Sequence, residues 1–416
     1  MADSGAGSSK PRTNLFDLFL NEESDSEDDF NIPHVNYDSS SSDDSDSCSE
    51  DEVIEDHETH QLSVADKFGW QTIDIEPNRL RTDPVFTVRN PLSSKNIDLA
   101  ECTDPVHFFS LLFDDEVMNT LLKETNRYAQ QFLSTEAVRE WIARHPSSRY
   151  NKWPINGITM DQLKKYLGLL LNMGVVAKKK ISDYWSTRPT LSTPFFNDTM
   201  NCNMFFLIHR MLHLNNLETE KKRGEDNFDP WSKIRPFLDK VNTMSKKYYI
   251  PSKNISIDES MIGMKNRCVY IQYMPNKRHA RFGIKKFQLC DSNGFIMHIE
   301  LYGGKDFDVR HDEGQAFAVV RHLMEESKLL NKGYHLYTDN FYTKPALAEF
   351  LLEKKTLLTG TVRANSRNIP ENKSARLQIG EASFWRKGEM LFLSFREKKS
   401  QTKPVYVLSI LLTMQS

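Results

Sequence analysis

The chain has 416 residues, of which 39% are hydrophobic and 27% charged, with a formal net charge of −3. That length exceeds one ordinary core and implies two or three domains. No apolar run approaches the roughly 18 residues of a membrane-spanning helix. The longest, YLGLLLNMGVV from Tyr166, reads as a buried helix, and the opening MADSGAGSSKPRT lacks the apolar stretch of a secretory signal.

The small net charge conceals two opposed segments. Residues 1–60 hold 18 acidic and 2 basic side chains, whereas the remainder holds 39 acidic and 52 basic ones. An acidic tail on a basic body points to a polyanionic partner for the body, and nucleic acid is the obvious one. The five cysteines, Cys48, Cys102, Cys202, Cys268 and Cys290, form no CxxC pair. Their scatter argues against a disulfide framework or a zinc module, and for reduced thiols in the cytosol or nucleus. Short basic runs at Lys178 and Lys221 are weak nuclear-import signals. Nuclear residence is the expectation.

In chain order, residues 1–85 read as a disordered acidic tail. NEESDSEDDF and SSSSDDSDSCSEDEVIEDHE are too polar to offset the entropy of ordering. Residues 86–250 read as mainly helical. Val117, Leu121 and Leu122 have helical spacing, and Thr159 with Gln162 forms a capping pair for the helix that follows. NMFFLIHRMLHLNNL and FDPWSKIRPFLDKVNTMSKKYY supply two more helices. His209 and His213 lie four apart in the first of these. Without a carboxylate or cysteine partner, they are read as packing residues.

The period changes at Asn254. NISIDESMIG reads as a strand, and IKKFQLCDSNGFIMHIELYGG as two strands joined at Ser292-Asn293-Gly294. A helix follows, with an apolar stripe of Ala316, Val319, Val320 and Leu323, caps at Asp312 and Gln315, and Gly333 beyond its end. YHLYTDNFY is a strand ending at Asp339. TKPALAEFLLEKK is a helix with Pro345 in its first turn, and TLLTGTVRA is a further strand. The order β-β-β-α-β-α-β predicts an α/β fold with a mixed five-stranded sheet and flanking helices over 251–365. That is the element order of an RNase H-like domain, in which the first and fourth strands are neighbours. Asp258, read as ending the first strand, and Asp339, ending the fourth, are therefore expected side by side.

Paired carboxylates repel unless a cation neutralises them. Oxygen-only ligands favour Mg²⁺ or Mn²⁺, and such ions serve phosphoryl transfer. Asp258 and Asp339 are thus the candidate catalytic and metal-binding residues. Between them KNRCVYIQYMPNKRHARFGIKKF carries Lys265, Arg267, Lys277, Arg278, Arg281, Lys285 and Lys286, interleaved with Tyr270, Tyr273, Phe282 and Phe287. Basic and aromatic groups together suit phosphate contact and base stacking. Lys265, Arg267, Lys277, Arg278, Arg281 and Lys285 are the candidate DNA contacts. Lys285 and Lys286 face opposite sides of a strand, and Gly283 is read as admitting a partner's close approach.

From about Asp104 to Ser409 these motifs resemble, in order, the piggyBac family of DNA transposases. TDPVHFFSLLFDDEVMNTLLKETNRYA, ISDYWSTRP, HRMLHLNN, NISIDESMIGMKNR, QYMPNKRHARFGIK, LYTDNFYTKPALAEFL and LTGTVRANSRNIP carry the resemblance. It implies cut-and-paste chemistry on double-stranded DNA. Metal-activated water cuts the transposon end, the freed 3′-hydroxyl attacks the other strand to form a hairpin, and the end is joined to a TTAA target. It also assigns the helical region 86–250 to DNA binding and dimerisation, and 366–416 to part of an insertion domain with a divergent end. The family uses three essential aspartates. The first matches Asp258 and the second Asp339. The third would follow KPVYVLS, and no aspartate occurs after Asp339. Nor does the sequence contain the family's Cys/His-rich zinc module. The resemblance therefore implies a transposase-derived DNA-binding protein with an incomplete catalytic set. The alternatives are an active transposase whose product is longer, and a non-catalytic chromatin or DNA-binding protein. Candidate partners are double-stranded DNA, a second copy of the chain, and proteins that engage the acidic tail, with no membrane.

Overall fold

A computed structural model describes residues 65–73, 85–88, 104–264, 268–275, 277, 280–304, 314–373, 377–398 and 403–410. In chain order the elements begin with β1 (Gln71–Ile73) and α1 (Pro105–Leu112). The helices α2 (Asp115–Ser134), α3 (Glu136–Arg144), α4 (Met160–Val175), α5 (Pro194–Thr199), α6 (Cys202–Met211) and α7 (Arg235–Tyr248) follow. The strands β2 (Asn254–Gly263), β3 (Ile271–Tyr273), β4 (Phe282–Asp291) and β5 (Ile296–Leu301) come next, then α8 (Gln315–Glu326), β6 (His335–Thr338), α9 (Pro345–Glu353) and β7 (Leu357–Val362). The last strands are β8 (Ala382–Lys387), β9 (Met390–Phe395) and β10 (Val405–Ser409). No described helix is long and apolar enough to cross a membrane.

The chain divides into two compact units. Among the described residues, the first spans Asp114–Glu220 and is helical. Asp114 starts α2 by accepting the Val117 N–H at 3.0 Å. The Thr159–Gln162 capping box opens α4 as expected. Ala129, Trp141, Tyr150, Leu207 and Met211 form one core cluster of this unit. His209 is a packing residue: its Nδ1 lies 2.9 Å from the Tyr166 hydroxyl, its ring stacks on Phe205, and burial pushes its pKa down. His213 lies past the end of α6 and stacks on Tyr128.

The second unit holds a sheet of ten strands among the described residues, in the order β1-β8-β9-β10-β7-β6-β2-β4-β3, with β5 also paired to β4. Its centre reads β5-β4-β2-β6-β7. The first two ladders are antiparallel, and β2·β6 and β6·β7 are parallel. This is the mixed five-stranded core that the element order predicts. The β4–β5 turn also forms as expected, with Gly294 at φ +87° and the Gly294 N–H bonded to the Asp291 carbonyl at 2.9 Å. Helix α9 starts with Pro345 in its first turn. Helix α8 is capped by Gly314 without a side-chain hydrogen bond, and Asp312 lies outside the described residues. Ile255, Ile257, Phe287, Leu289, Val319 and Leu347 belong to the core cluster that the sheet shares with its helices.

Three expected boundaries change. First, α7 belongs to the sheet unit, not to a helical domain ending near residue 250. The reason is the outer strand β5, whose edge needs hydrogen-bond partners. The Asn242 amide supplies them, donating to the Ile299 carbonyl and accepting the Ile299 N–H, both at 2.9 Å. Second, β8, β9 and β10 are not set apart from the core. β10 pairs antiparallel with β7, and β9 and β8 continue the same sheet. Residues 411–416, the divergent end, lie outside the described residues.

Third, residues 65–73 are ordered, although they fall within the segment read as a disordered tail. Asp66 accepts the N–H groups of Phe68 and Trp70 at 2.9 Å each and turns the indole inward. Trp70 is 1% exposed, donates Nε1–H to the Asn368 carbonyl at 2.8 Å, and meets Phe392 edge-on. Gln71–Ile73 then pairs with β8. Acidic composition averaged over the tail hides one tryptophan that buries a large apolar area. We expect Trp70→Ala to destabilise the sheet unit by about 3–5 kcal/mol. Urea unfolding followed by fluorescence would measure this, and a loss below about 1 kcal/mol would place the indole outside the core.

Candidate metal centre and nucleic-acid interface

The parallel β2–β6 ladder runs from Asn254↔His335 to Ile257↔Thr338. The next residue on each strand is an aspartate. β6 stops at Thr338, whereas β2 continues to Gly263 against β4 alone. Asp258 therefore lies within its strand rather than at its end. What ends beside it is the neighbouring strand, which leaves room for polar groups.

Asp339 shapes the turn after β6. Its Oδ1 accepts the Phe341 N–H at 3.0 Å, and its carbonyl accepts the Thr343 hydroxyl at 2.7 Å. The Thr343 hydroxyl also lies 2.7 Å from that of Thr338. Gly360 of β7 is required here, because a β-carbon would fall 2.2 Å from Thr343 Oγ1 and 2.3 Å from the Thr338 carbonyl oxygen. On the other strand, Asp258 Oδ1 accepts the Glu259 N–H at 2.7 Å. One oxygen of each aspartate is thus committed to backbone, and each has a second to offer.

A third carboxylate joins them. One oxygen each from Asp258, Glu259 and Asp339 lies within 4.8 Å of the others. Glu259 is the residue that sequence reasoning passes over, since strand alternation sends it to the face opposite Asp258. The available signal was the Asp-Glu pair itself, placed where the parallel neighbour ends. Glu259 is 12% exposed, with Lys277 Nζ 3.5 Å from Oε1 and the Tyr342 hydroxyl donating to Oε2 at 3.4 Å. Among the described residues, Glu300 does not enter the cluster. Glu300 pairs with Arg235 on β5, and Asp306 and Asp308 lie outside the described residues.

The electrostatics are those of crowded anions. Burial raises the pKa of Asp258, and the charges of Glu259 and Asp339 raise it further. The Glu259 N–H and the Lys277 ammonium oppose them. Burial, reinforced by Lys277, pushes Lys285 below the usual lysine range, against the pull of the three carboxylates. Its Nζ sits 4.8 Å from the Phe287 ring centre and 5.0 Å from that of Phe341. Tyr342 is fully buried, and desolvation followed by the carboxylate charges holds its hydroxyl protonated. The cluster offers carboxylate oxygens only. That donor set fits a hard cation such as Mg²⁺ or Mn²⁺ and not a thiolate- or imidazole-seeking one.

Of the candidate DNA contacts, the structure brings Lys277 and Lys285 to the carboxylates. Arg281 is exposed just before β4, seven residues from Gln288, which pairs with Asp258. That is about 20 Å along a strand. Lys265, Arg267 and Arg278 lie outside the described residues. The aromatic residues divide in the same way. Tyr273 and Phe282 are exposed and 4.6 Å apart, whereas Phe287 is core and Tyr270 packs on Trp231. Gly283 is pressed against the protein's own backbone, not opened to a partner: a β-carbon there would lie 2.1 Å from the Ile262 carbonyl oxygen.

A family model described as Transposase IS4 matches residues 104–411. Human PiggyBac transposable element-derived protein 3 is 26% identical over 261 residues, covering 62% of this chain and 40% of that protein. Human PiggyBac transposable element-derived protein 2 is 26% identical over 334 residues, covering 76% and 50%. This chain therefore spans about half the length of these curated relatives or less. A cryo-EM structure of the piggyBac transposase synaptic complex with hairpin DNA superposes with a TM-score of 0.66 at 23% identity, over 79% of this chain and 65% of that one. That likeness fixes the fold as the RNase H-like one, and the family match over most of the chain makes this protein a piggyBac-derived member of the Transposase IS4 family.

Proposed function

We propose that residues 1–416 bind double-stranded DNA and hold a Mg²⁺- or Mn²⁺-class cation on Asp258 and Asp339, with Glu259 as a third oxygen donor. The observation that carries this reading is the convergence of three carboxylates, with Lys277 and Lys285 beside them. A cation there offsets the like-charge repulsion and, when bound, can activate water and stabilise a leaving oxygen in phosphoryl transfer. The chain's own groups have separate tasks. Lys277 and Lys285 draw a phosphate toward the cluster, and Tyr342 keeps its proton and orients Glu259. The basic body supports a DNA partner, as does the fold shared with a transposase solved on hairpin DNA. DNA binding also supports nuclear residence.

In this reading residues 1–416 bind DNA without cutting it. The aspartate that the family places after Asp339 has no counterpart among residues 1–416. Strand cleavage is the second reading, favoured by the intact Asp258–Asp339 pair.

Titration calorimetry with Mn²⁺ tests the metal. We expect saturable binding, weakened at least about tenfold in Asp258→Asn and in Asp339→Asn. Affinity should rise with pH as Asp258 loses its proton, because the ion competes for the carboxylate. The sign for the metal-free protein is the reverse. An acid whose folded pKa is raised costs stability above that pKa, and the cost is relieved as pH falls through it. Asp258→Asn should therefore raise the metal-free melting temperature at pH 7 by about 1–2 °C while abolishing the Mn²⁺-induced rise. Binding unchanged in both variants would exclude the site.

Fluorescence anisotropy with labelled duplex tests the DNA. Affinity should fall linearly on a log–log salt plot, and Lys277→Ala with Lys285→Ala should reduce the slope by about one per lost phosphate contact. A salt-independent affinity would overturn the electrostatic reading. With Mn²⁺ present we expect no nicking of duplex DNA. Nicking that disappears in Asp258→Asn would establish the second reading.

A further inference from the structure

A second cluster of metal-ligating side chains lies on the outer strand β5. His298 and Glu300 are two residues apart and so share a face of the sheet. Helix α8 brings His322 to the same place. Glu300 pairs across the sheet with Phe287, and Phe287 with Glu259. The two clusters are therefore two strands apart, about 10 Å across the sheet, and share no donor.

One ligand atom each from His298, Glu300 and His322 lies within 4.8 Å of the other two. His322 Nε2 is 3.7 Å from Glu300 Oε2. The other carboxylate oxygen, Oε1, accepts from Arg235 at 3.3 Å. Arg235 is itself anchored by Asp229, at 2.7 Å and 3.0 Å. Glu300 is thus held in place through one oxygen while the other faces the imidazole of His322.

His298 supplies the independent observation. Its side chain is 95% buried, and its Nδ1 has no hydrogen-bond partner among the described residues. A buried imidazole nitrogen is rarely left without a partner unless something else occupies its lone pair. Burial, with Lys246 next in weight, pushes the His298 pKa down to about 4. Glu300 pulls the pKa of His322 the other way. The remaining charged groups felt by the cluster are mixed. Lys246 opposes a cation, although its ammonium is tied to the Glu326 carbonyl at 3.0 Å, whereas Glu325, Glu326 and Asp239 favour one.

We propose that His298, Glu300 and His322 form a binding site for a borderline divalent cation of the zinc class. Two imidazoles and one carboxylate are a zinc donor set, distinct from the all-oxygen set at Asp258. Donors on one tetrahedral zinc lie about 3.4 Å apart, so the present spacing needs only a small inward turn. His322 is the member free to make it, being 43% exposed. That exposure also leaves the fourth position open to water. The ion would tie β5 to α8.

The test uses the full chain after chelation, with Co²⁺ as the spectroscopic probe and Zn²⁺ as competitor. We expect one Co²⁺ per chain with the visible absorption of a tetrahedral site, displaced by Zn²⁺ and retained when Asp258→Asn and Asp339→Asn are combined. His322→Gln should weaken binding at least about tenfold and remove the Zn²⁺-induced rise in melting temperature. His298→Gln should do the same. If that buried variant fails to fold, half-exposed His322→Gln carries the test alone. Absorption that survives His322→Gln, that is lost in the Asp258/Asp339 double variant, or that never develops at about 100 μM Co²⁺ would overturn the proposal.

Discussion

Ile257 of β2 pairs in parallel with Thr338 of β6, and the next residue on each strand is an aspartate. Two carboxylates in that position repel each other. The surrounding structure relieves part of that repulsion. Backbone N–H groups take one oxygen of each aspartate, Lys277 reaches Glu259, and Lys285 stands beside the cluster between two aromatic rings. What is left uncompensated is a set of oxygens suited to a hard divalent ion. The chemistry is thus a consequence of strand order. Only a sheet that places its first and fourth strands together can bring residues so far apart in sequence into one cluster.

The same sheet explains how the rest of the unit is assembled. A mixed core of this kind has edges that must be paired or covered. Beyond β7 the edge is continued by β10, β9, β8 and β1. Beyond β4 it passes to β5, where the Asn242 amide answers the Ile299 backbone as another strand would. Together with Leu238, which packs with Ile284 and Leu301, that side chain holds α7 in the sheet unit. It also sets the neighbourhood of Glu300, since Arg235 on the same helix holds one carboxylate oxygen.

Much of the local structure was legible in the residues. The Thr159–Gln162 capping box, the Asn293-Gly294 turn and the first-turn Pro345 depend on neighbours within a few positions, and each formed as read. The features that escaped depend on distant partners. Trp70 follows an acidic, serine-rich stretch, and its burial is visible only once β8 and β9 are in place. Gly283 reads as a point of approach for a ligand, but the approaching backbone is Ile262 of the neighbouring strand. Glu259 alternates away from Asp258 in an ideal strand, yet its oxygen still reaches the cluster.

The sequence by itself determined most of the elements between Asn254 and Val362, their order and two of the carboxylates, because helix periods, turn residues and caps act over a few residues at a time. It also carried the family resemblance, through motifs spread along most of the chain. Only the tertiary structure decided which charges meet. It brought Glu259 to the aspartates, kept Arg281 far from them, and set His298, Glu300 and His322 around a common point. The physical reason is that electrostatic and ligand geometry operate over a few ångströms in space, and such distances exist only after strands distant in sequence have paired.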